Sequence, residues 1–168
     1  MTKPVLDACC GSRMFWFDKT NPLTVFQDHR ELDTTLCDGR ALRIQPDVMG
    51  DMTQMAWPDE HFKLVVLDPP HLNRGGDKSW LVQKYGRLPT NWTPTLTAMF
   101  AEGFRVLENE GVLIVKWNDT QIKVRDLLAC CEYRPLFGDK RLSSRATQTH
   151  WLVFMKHPRM RTNRVPEE

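Results

Sequence analysis

The chain has 168 residues, 41% hydrophobic and 26% charged, with 23 Lys and Arg against 21 Asp and Glu and a net charge of +2. These are ordinary proportions for one globular domain, so disorder, collagen and coiled coil are excluded, and the charge balance alone indicates no polyanion partner. No apolar run approaches the ~20 residues of a membrane span.

Met1-Thr2-Lys3-Pro4, followed by Asp7, lacks the apolar stretch of a signal peptide, so the expected location is the cytoplasm, with no membrane partner. The cysteines (Cys9, Cys10, Cys37, Cys130, Cys131) are odd in number and contain no C-x-x-C. Reduced thiols are expected rather than a disulfide framework or a zinc site.

Residues 4–10 read as a buried strand entering a turn at Gly11, and 23–28 as a second strand ending in Asp28. The gap between them leaves room for little more than a turn or two of helix. Residues 31–45, centred on Asp38-Gly39, predict a β-hairpin, and 46–51 a short extended piece ending in Asp51. Residues 61–68 form the clearest strand, stopped by Asp68-Pro69-Pro70. Residues 71–92, with Gly75, Gly76, Gly86 and Pro89, predict a long loop.

Thr93 as N-cap and Pro94 at the first helical position open the best helix. Leu96, Met99, Phe100, Gly103, Phe104 and Leu107 mark its buried face and Gly111 its end. A strand over 112–117, an amphipathic helix over 120–131, and an antiparallel pair of strands over 132–137 and 150–155 follow. Strands separated by helices predict an α/β fold with a mostly parallel sheet. The expected organisation is one domain, 1–156, with a basic tail over 157–168.

In such sheets ligands bind beyond the carboxyl ends of the strands, near the topological switch point. Asp7, Asp28, Asp51 and Asp68 each close a predicted strand. Gly11 allows backbone amides to approach an anionic group closely. The absence of G-x-G-x-x-G disfavours a nicotinamide dehydrogenase. A carboxylate at Asp28 suits the two hydroxyls of a ribose, and Asp51 an adenine amino group.

Asp68-Pro69-Pro70-His71 is the sharper signal. Two prolines fix φ and donate no hydrogen bond. If the Asp68 carboxylate and the Pro69 carbonyl each accept one N–H of an aromatic amino group, its lone pair is localised for attack on a methyl held in line. That chemistry requires no metal. The bland alternative is a rigid turn after a strand, and for the other acids an ordinary strand end.

The order Asp7-x-x-x-Gly11, Asp28, Asp51 and Asp68-Pro69-Pro70-His71 resembles the class I S-adenosylmethionine-dependent methyltransferases. The last element is similar to the [D/N]-P-P-[Y/F/W] motif of their amino-methyltransferase branch, which acts on adenine N6, cytosine N4 or glutamine. The resemblance spans residues 4–155 and implies a Rossmann-like seven-stranded sheet with an antiparallel C-terminal strand. It also implies S-adenosyl-L-methionine as cofactor. Asp7, Ala8, Cys9, Cys10, Gly11 and Ser12 would cradle its methionine part, Asp28 its ribose, and Asp51 with Met52 its adenine. Asp68, Pro69, Pro70 and His71 would hold the target amine, with His71 in the place of the usual aromatic. Cys9 and Arg13 stand where the family usually has further glycines.

Cations and aromatics interleave in the 71–92 segment, where Arg74, Lys78, Trp80, Tyr85 and Trp92 suit an unstacked base beside a phosphate backbone, or simply a surface lid. Lys116 and Trp117 end a strand beside the proposed site. Met14 to Phe17 read first as core packing and second as a pocket wall. The leading function is methylation of a nucleobase amino group, adenine N6 in DNA before RNA. The alternatives are a protein side-chain amide or small amine as acceptor, and a degenerate fold serving as a nucleic-acid or protein binding module. Nucleic acid is the expected partner, with a homodimer or a partner protein as the other option.

Overall fold

The computed structural model describes residues 3–76, 79–138 and 149–162. Among the described residues nine strands and three α-helices follow in chain order: β1 (Val5–Asp7), β2 (Thr24–Asp28), β3 (Leu32–Thr35), β4 (Ala41–Ile44), β5 (Val48–Met49), β6 (Phe62–Leu67), α1 (Trp80–Tyr85), α2 (Thr93–Val106), β7 (Leu107–Asn118), α3 (Val124–Leu128), β8 (Phe137–Gly138) and β9 (Thr149–Met155). Seven strands form one sheet in the order β5-β2-β1-β6-β7-β9-β8, and β3 and β4 form the expected hairpin. The first five are mutually parallel, whereas β9 runs antiparallel to β7 and to β8. The predicted α/β class and the antiparallel C-terminal strand are both present.

β-branched and leucine residues of β6 and β7 alternate between two faces. On one face Leu6, Val65, Leu67, Leu113, Val115, Trp117, Leu152 and Phe154 are buried. They pack with Leu96, Met99, Phe100 and Phe104 of α2 in a single core. Gly103 lets the helix sit close: a Cβ there would lie 3.2 Å from Leu113 Cδ1 and 3.3 Å from Leu67 Cδ1. On the opposite face, Leu64, Val112, Ile114 and Val153 are only half-buried. Phe15 and Trp16 cover part of it, with Trp16 edge-on to Phe26 and Phe15 edge-on to Trp151.

Several boundaries differ from those the sequence predicts, among them the strand expected over 112–117, which runs from Leu107 to Asn118. α2 begins one position early in its cap, with Trp92 as N-cap, and ends at Val106 rather than Gly111. The reason is tertiary, since Leu107 turns extended and joins the sheet opposite Phe62. The 71–92 segment is not wholly loop, because α1 lies within it, though it buries none of its residues and so carries no apolar period to read. The helix expected over 120–131 is confined to Val124–Leu128, since Lys123 is extended (φ −70°, ψ 148°). The strand expected over 132–137 reduces to Phe137–Gly138.

The described part of the basic tail, 157–162, is docked. Arg134 N donates to Met160 O at 2.8 Å and Thr162 N to Glu132 O at 2.7 Å, while Met160 packs on the core. Among the described residues no helix is long and apolar enough to cross a membrane.

Candidate active site

The strand order reverses direction between β1 and β6, which places the ligand-binding crevice of an open α/β sheet at their carboxyl ends. Asp7 closes β1 and Asp68 follows β6, flanking that point, and Asp28 closes the adjacent β2. Register puts Asp7 beside Phe26 and Val66, and Leu67 beside Val115, so that the next positions, Asp68 and Lys116, project with Asp7 and Asp28 from one face of the sheet, where the Lys116 and Asp68 side chains meet.

The turn after β1 is held by Asp28. Its Oδ2 accepts from Gly11 N at 2.8 Å and its Oδ1 from Arg30 N at 2.9 Å. Gly11 has φ 49°, a left-handed conformation that glycine adopts without strain. Among the described residues Arg30 Nε is buried without a hydrogen-bond partner, 3.5 Å from Asp28 Oδ1. An acceptor oxygen on a ligand beside Asp28 would satisfy it.

Asp7 is fully buried. Trp16 Nε1 donates to its Oδ2 at 2.7 Å and Cys9 N to its Oδ1 at 3.4 Å. Burial pushes the Asp7 carboxyl up to about 7, against the Trp16 hydrogen bond and with the negative charge of Asp68 adding to the rise. Asp68 N donates to Cys9 Sγ at 3.0 Å, and Lys116 Nζ donates to Asp68 Oδ2 at 2.8 Å. Burial raises the Asp68 carboxyl and the Lys116 ammonium opposes that rise. Burial also holds the Cys9 thiol well above its usual range, which leaves an accepting sulfur rather than a thiolate nucleophile. His71 is pushed down to about 4 by burial and by Lys116, so its ring is neutral at physiological pH. It lies 5.1 Å from the Tyr85 ring.

Three cavities run along this edge and share walls. The central cleft, about 40 Å³, is bounded by the Ala8–Ser12 turn, Asp28, Asp68 and Pro69, with Lys84 and Tyr85 of α1 across its mouth. On one side it shares His29, Met52 and Pro70 with a cavity of about 420 Å³ that also contains Asp51 and Leu88. On the other it shares Asp68 and Tyr85 with a pocket of about 230 Å³ that contains His71, Leu81, Lys116 and Asn118. Asp68 therefore stands on the wall shared by the central cleft and the 230 Å³ pocket.

The structure thus brings together on these walls Ala8, Cys9, Cys10, Gly11, Ser12, Asp28, Asp51, Met52, Asp68, Pro69, Pro70, His71, Tyr85 and Lys116. Other residues singled out by sequence stand apart. Asp7 sits beneath the turn rather than in the cleft wall. Trp117 points into the core, donating to Ile122 O at 3.0 Å, because alternation along β7 sends it to the face opposite Lys116. Trp92 packs on the core and Trp80 is on the outer side of α1, under the Arg40 guanidinium. Arg74 is exposed, its N–H held by Gln121 Oε1. Lys78 lies outside the described residues.

Sequence reasoning missed His29 and Arg30 in the cleft wall, and Asn118 and Thr149 in the 230 Å³ pocket. His29 and Arg30 directly follow Asp28 and were legible by proximity. Asn118 and Thr149 meet only through antiparallel register, which no sequence spacing reveals. In the Met14 to Phe17 stretch, Met14 borders the cleft, Phe15 and Trp16 pack, and Phe17 is fully exposed.

The fold is similar to that of solved structures. The PH0226 protein of Pyrococcus horikoshii superposes with a TM-score of 0.59 at 13% identity, over 91% of this chain and 81% of that one. A SAM-dependent methyltransferase of Methanosarcina mazei gives 0.54 at 11% identity, over 90% and 91%. The chain has the class I methyltransferase fold. A geranyl diphosphate methyltransferase solved with geranyl diphosphate and sinefungin gives 0.50 at 10% identity, over 91% and 70%. No protein-family model matches the chain, and no curated protein matches it by sequence. Identities this low establish the methyltransferase fold and leave chemistry to be argued from the site.

Proposed function

We propose that the chain is an S-adenosylmethionine-dependent methyltransferase acting on a planar exocyclic amino group, with a nucleobase, and adenine N6 in DNA, as the leading acceptor. The observation that carries this reading is the position of Asp68, which walls both the central cleft and the 230 Å³ pocket. A group bridging donor and acceptor has to stand at such a seam.

The residues present fit the cofactor. Gly11 keeps the turn open, since nothing lies within 4 Å of where its Cβ would be, and Asp28 with the unsatisfied Arg30 Nε suits ribose hydroxyls. The outer cavity, between His29, Met52 and Leu88, has the volume for the adenine. When bound, S-adenosylmethionine supplies an electrophilic methyl group. Lys84 and Tyr85 of α1 line the central cleft, and α1 buries none of its own residues.

On the acceptor side, Asp68 Oδ1 accepts one N–H and the Pro69 carbonyl the other, drawing the nitrogen towards tetrahedral geometry. The neutral His71 ring offers a flat face to a base. Asp68 takes the proton that the nitrogen sheds on alkylation.

A side-chain amide presents the same planar NH2. The pairing of Arg13 with Asp47, Arg40 with Asp38 and Arg43 with Asp33 leaves less free cationic surface for a phosphate backbone, which favours that second reading. Incubation with methyl-labelled cofactor and, separately, DNA, RNA, nucleosides and cell-extract protein decides between them. Label in adenine of DNA is expected; label confined to protein transfers the proposal to the amide, and cofactor binding without any transfer rejects both.

A further inference from the structure

The acceptor pocket contains a cation that the motif chemistry does not use. Lys116 Nζ lies 2.8 Å from Asp68 Oδ2 and 5.3 Å from the Phe15 ring centroid, with its side chain 21% exposed. Among the described residues Asp68 Oδ1 accepts no hydrogen bond. The ammonium therefore occupies one carboxylate oxygen and leaves the other facing the pocket. An ammonium has three donor protons, and Asp68 and the Phe15 face engage only part of its surface. Asn118 and Thr149 complete that wall, and Asn118 Nδ2 donates to Thr149 Oγ1 at 3.4 Å.

We infer that Lys116 is a specificity-determining residue of this pocket: it locks the Asp68 carboxylate and offers a cationic donor to the acceptor's neighbouring atom, so that amino groups beside a carbonyl oxygen or ring nitrogen are admitted and positively charged alkylamines are turned away. This rests on the proposed methyl transfer and names what its acceptor must carry. Two physical effects combine. A charge-assisted hydrogen bond to the neighbouring oxygen or nitrogen adds orientation that Asp68 alone does not supply. A second ammonium in a partly buried pocket of this size would meet like-charge repulsion from Lys116.

The test measures acceptor binding apart from turnover. Equilibrium binding of adenosine, cytidine, a glutamine-containing peptide and spermidine is followed by NMR line shifts with the full chain and with its Lys116→Met and Lys116→Arg variants. Wild type is expected to bind at least one neutral probe and to reject spermidine. Lys116→Met should weaken the neutral probe roughly 10- to 100-fold, the range of a lost hydrogen bond to a charged group. It should also gain spermidine binding, while Lys116→Arg stays within about tenfold of wild type and cofactor affinity by calorimetry is unchanged. Unaltered probe affinity in Lys116→Met, or spermidine binding by wild type, or no neutral probe bound by wild type, overturns the inference. The expected binding pattern without methyl transfer to any probe would instead uphold Lys116 and overturn the proposed reaction.

Discussion

The two faces of the central sheet divide the work of the molecule. One is apolar along its length, from Leu6 through Val65, Leu113 and Phe154, and is sealed by α2. The other is half-buried through Leu64, Ile114 and Val153, and at its carboxyl end carries Asp7, Asp28, Asp68 and Lys116. Parallel sheets are normally covered on both faces, so the thin cover given by Phe15 and Trp16 stands out. The well-packed face fixes the fold, which leaves charged groups to be gathered on the other face without breaking the core. Substitutions on the two faces should therefore fail in different ways.

The largest effect is expected from Asp68→Ala, which should lower methyl transfer on the order of 10³-fold, the scale of a lost preorganised charge contact. Cofactor affinity by calorimetry and the thermal midpoint should stay near wild type. A collapse of the midpoint together with activity would assign Asp68 a structural role instead.

Asp7 belongs to the chemical face but acts on stability. Its folded carboxyl keeps the proton to about pH 7, whereas its ordinary value is 3.8. The stability it contributes is complete below the ordinary value and is lost as pH rises through about 7, because ionisation then has to occur in a buried site. A shift of that size corresponds to at most roughly 4 kcal/mol. Asp7→Asn retains an acceptor for Trp16 Nε1 and should flatten the decline between about pH 4 and 7 in urea unfolding. An unchanged slope would show that Asp7 ionises freely.

On the sealed face, Leu113→Ala should cost about 3 kcal/mol and Ile114→Ala, its half-buried neighbour, about 1 kcal/mol. Equal losses in denaturant titrations would erase the distinction between the faces. The smallest effect is expected at His71, where a neutral ring is the working feature. His71→Phe should keep kcat/KM within about fivefold, while His71→Ala, which removes the stacking surface, should lose about tenfold. Equal behaviour of the two variants would exclude stacking.

Much of this plan was legible before any coordinates. Acids at strand ends, the proline pair and the Asp38-Gly39 hairpin are local signals, and local chemistry places them. Asp28 also shows what local reading leaves out: its carboxylate holds the Gly11 amide, so the cleft turn depends on a partner from another strand. Helix ends were read less well. α2 stops at Val106 because Leu107 enters the sheet, and sheet pairing outranks a distant glycine.

By itself the sequence determined the class of fold, the run of acids at the sheet edge and the rigid Asp68-Pro69-Pro70 turn, since each depends on neighbours within a few residues. Only the tertiary structure decided that Lys116 meets Asp68 while Trp117 turns away, that Asp7 lies under Trp16, and that Asn118 meets Thr149. Those pairings depend on strand order and register, which are set by burial of one whole face and cannot be read from spacing along the chain.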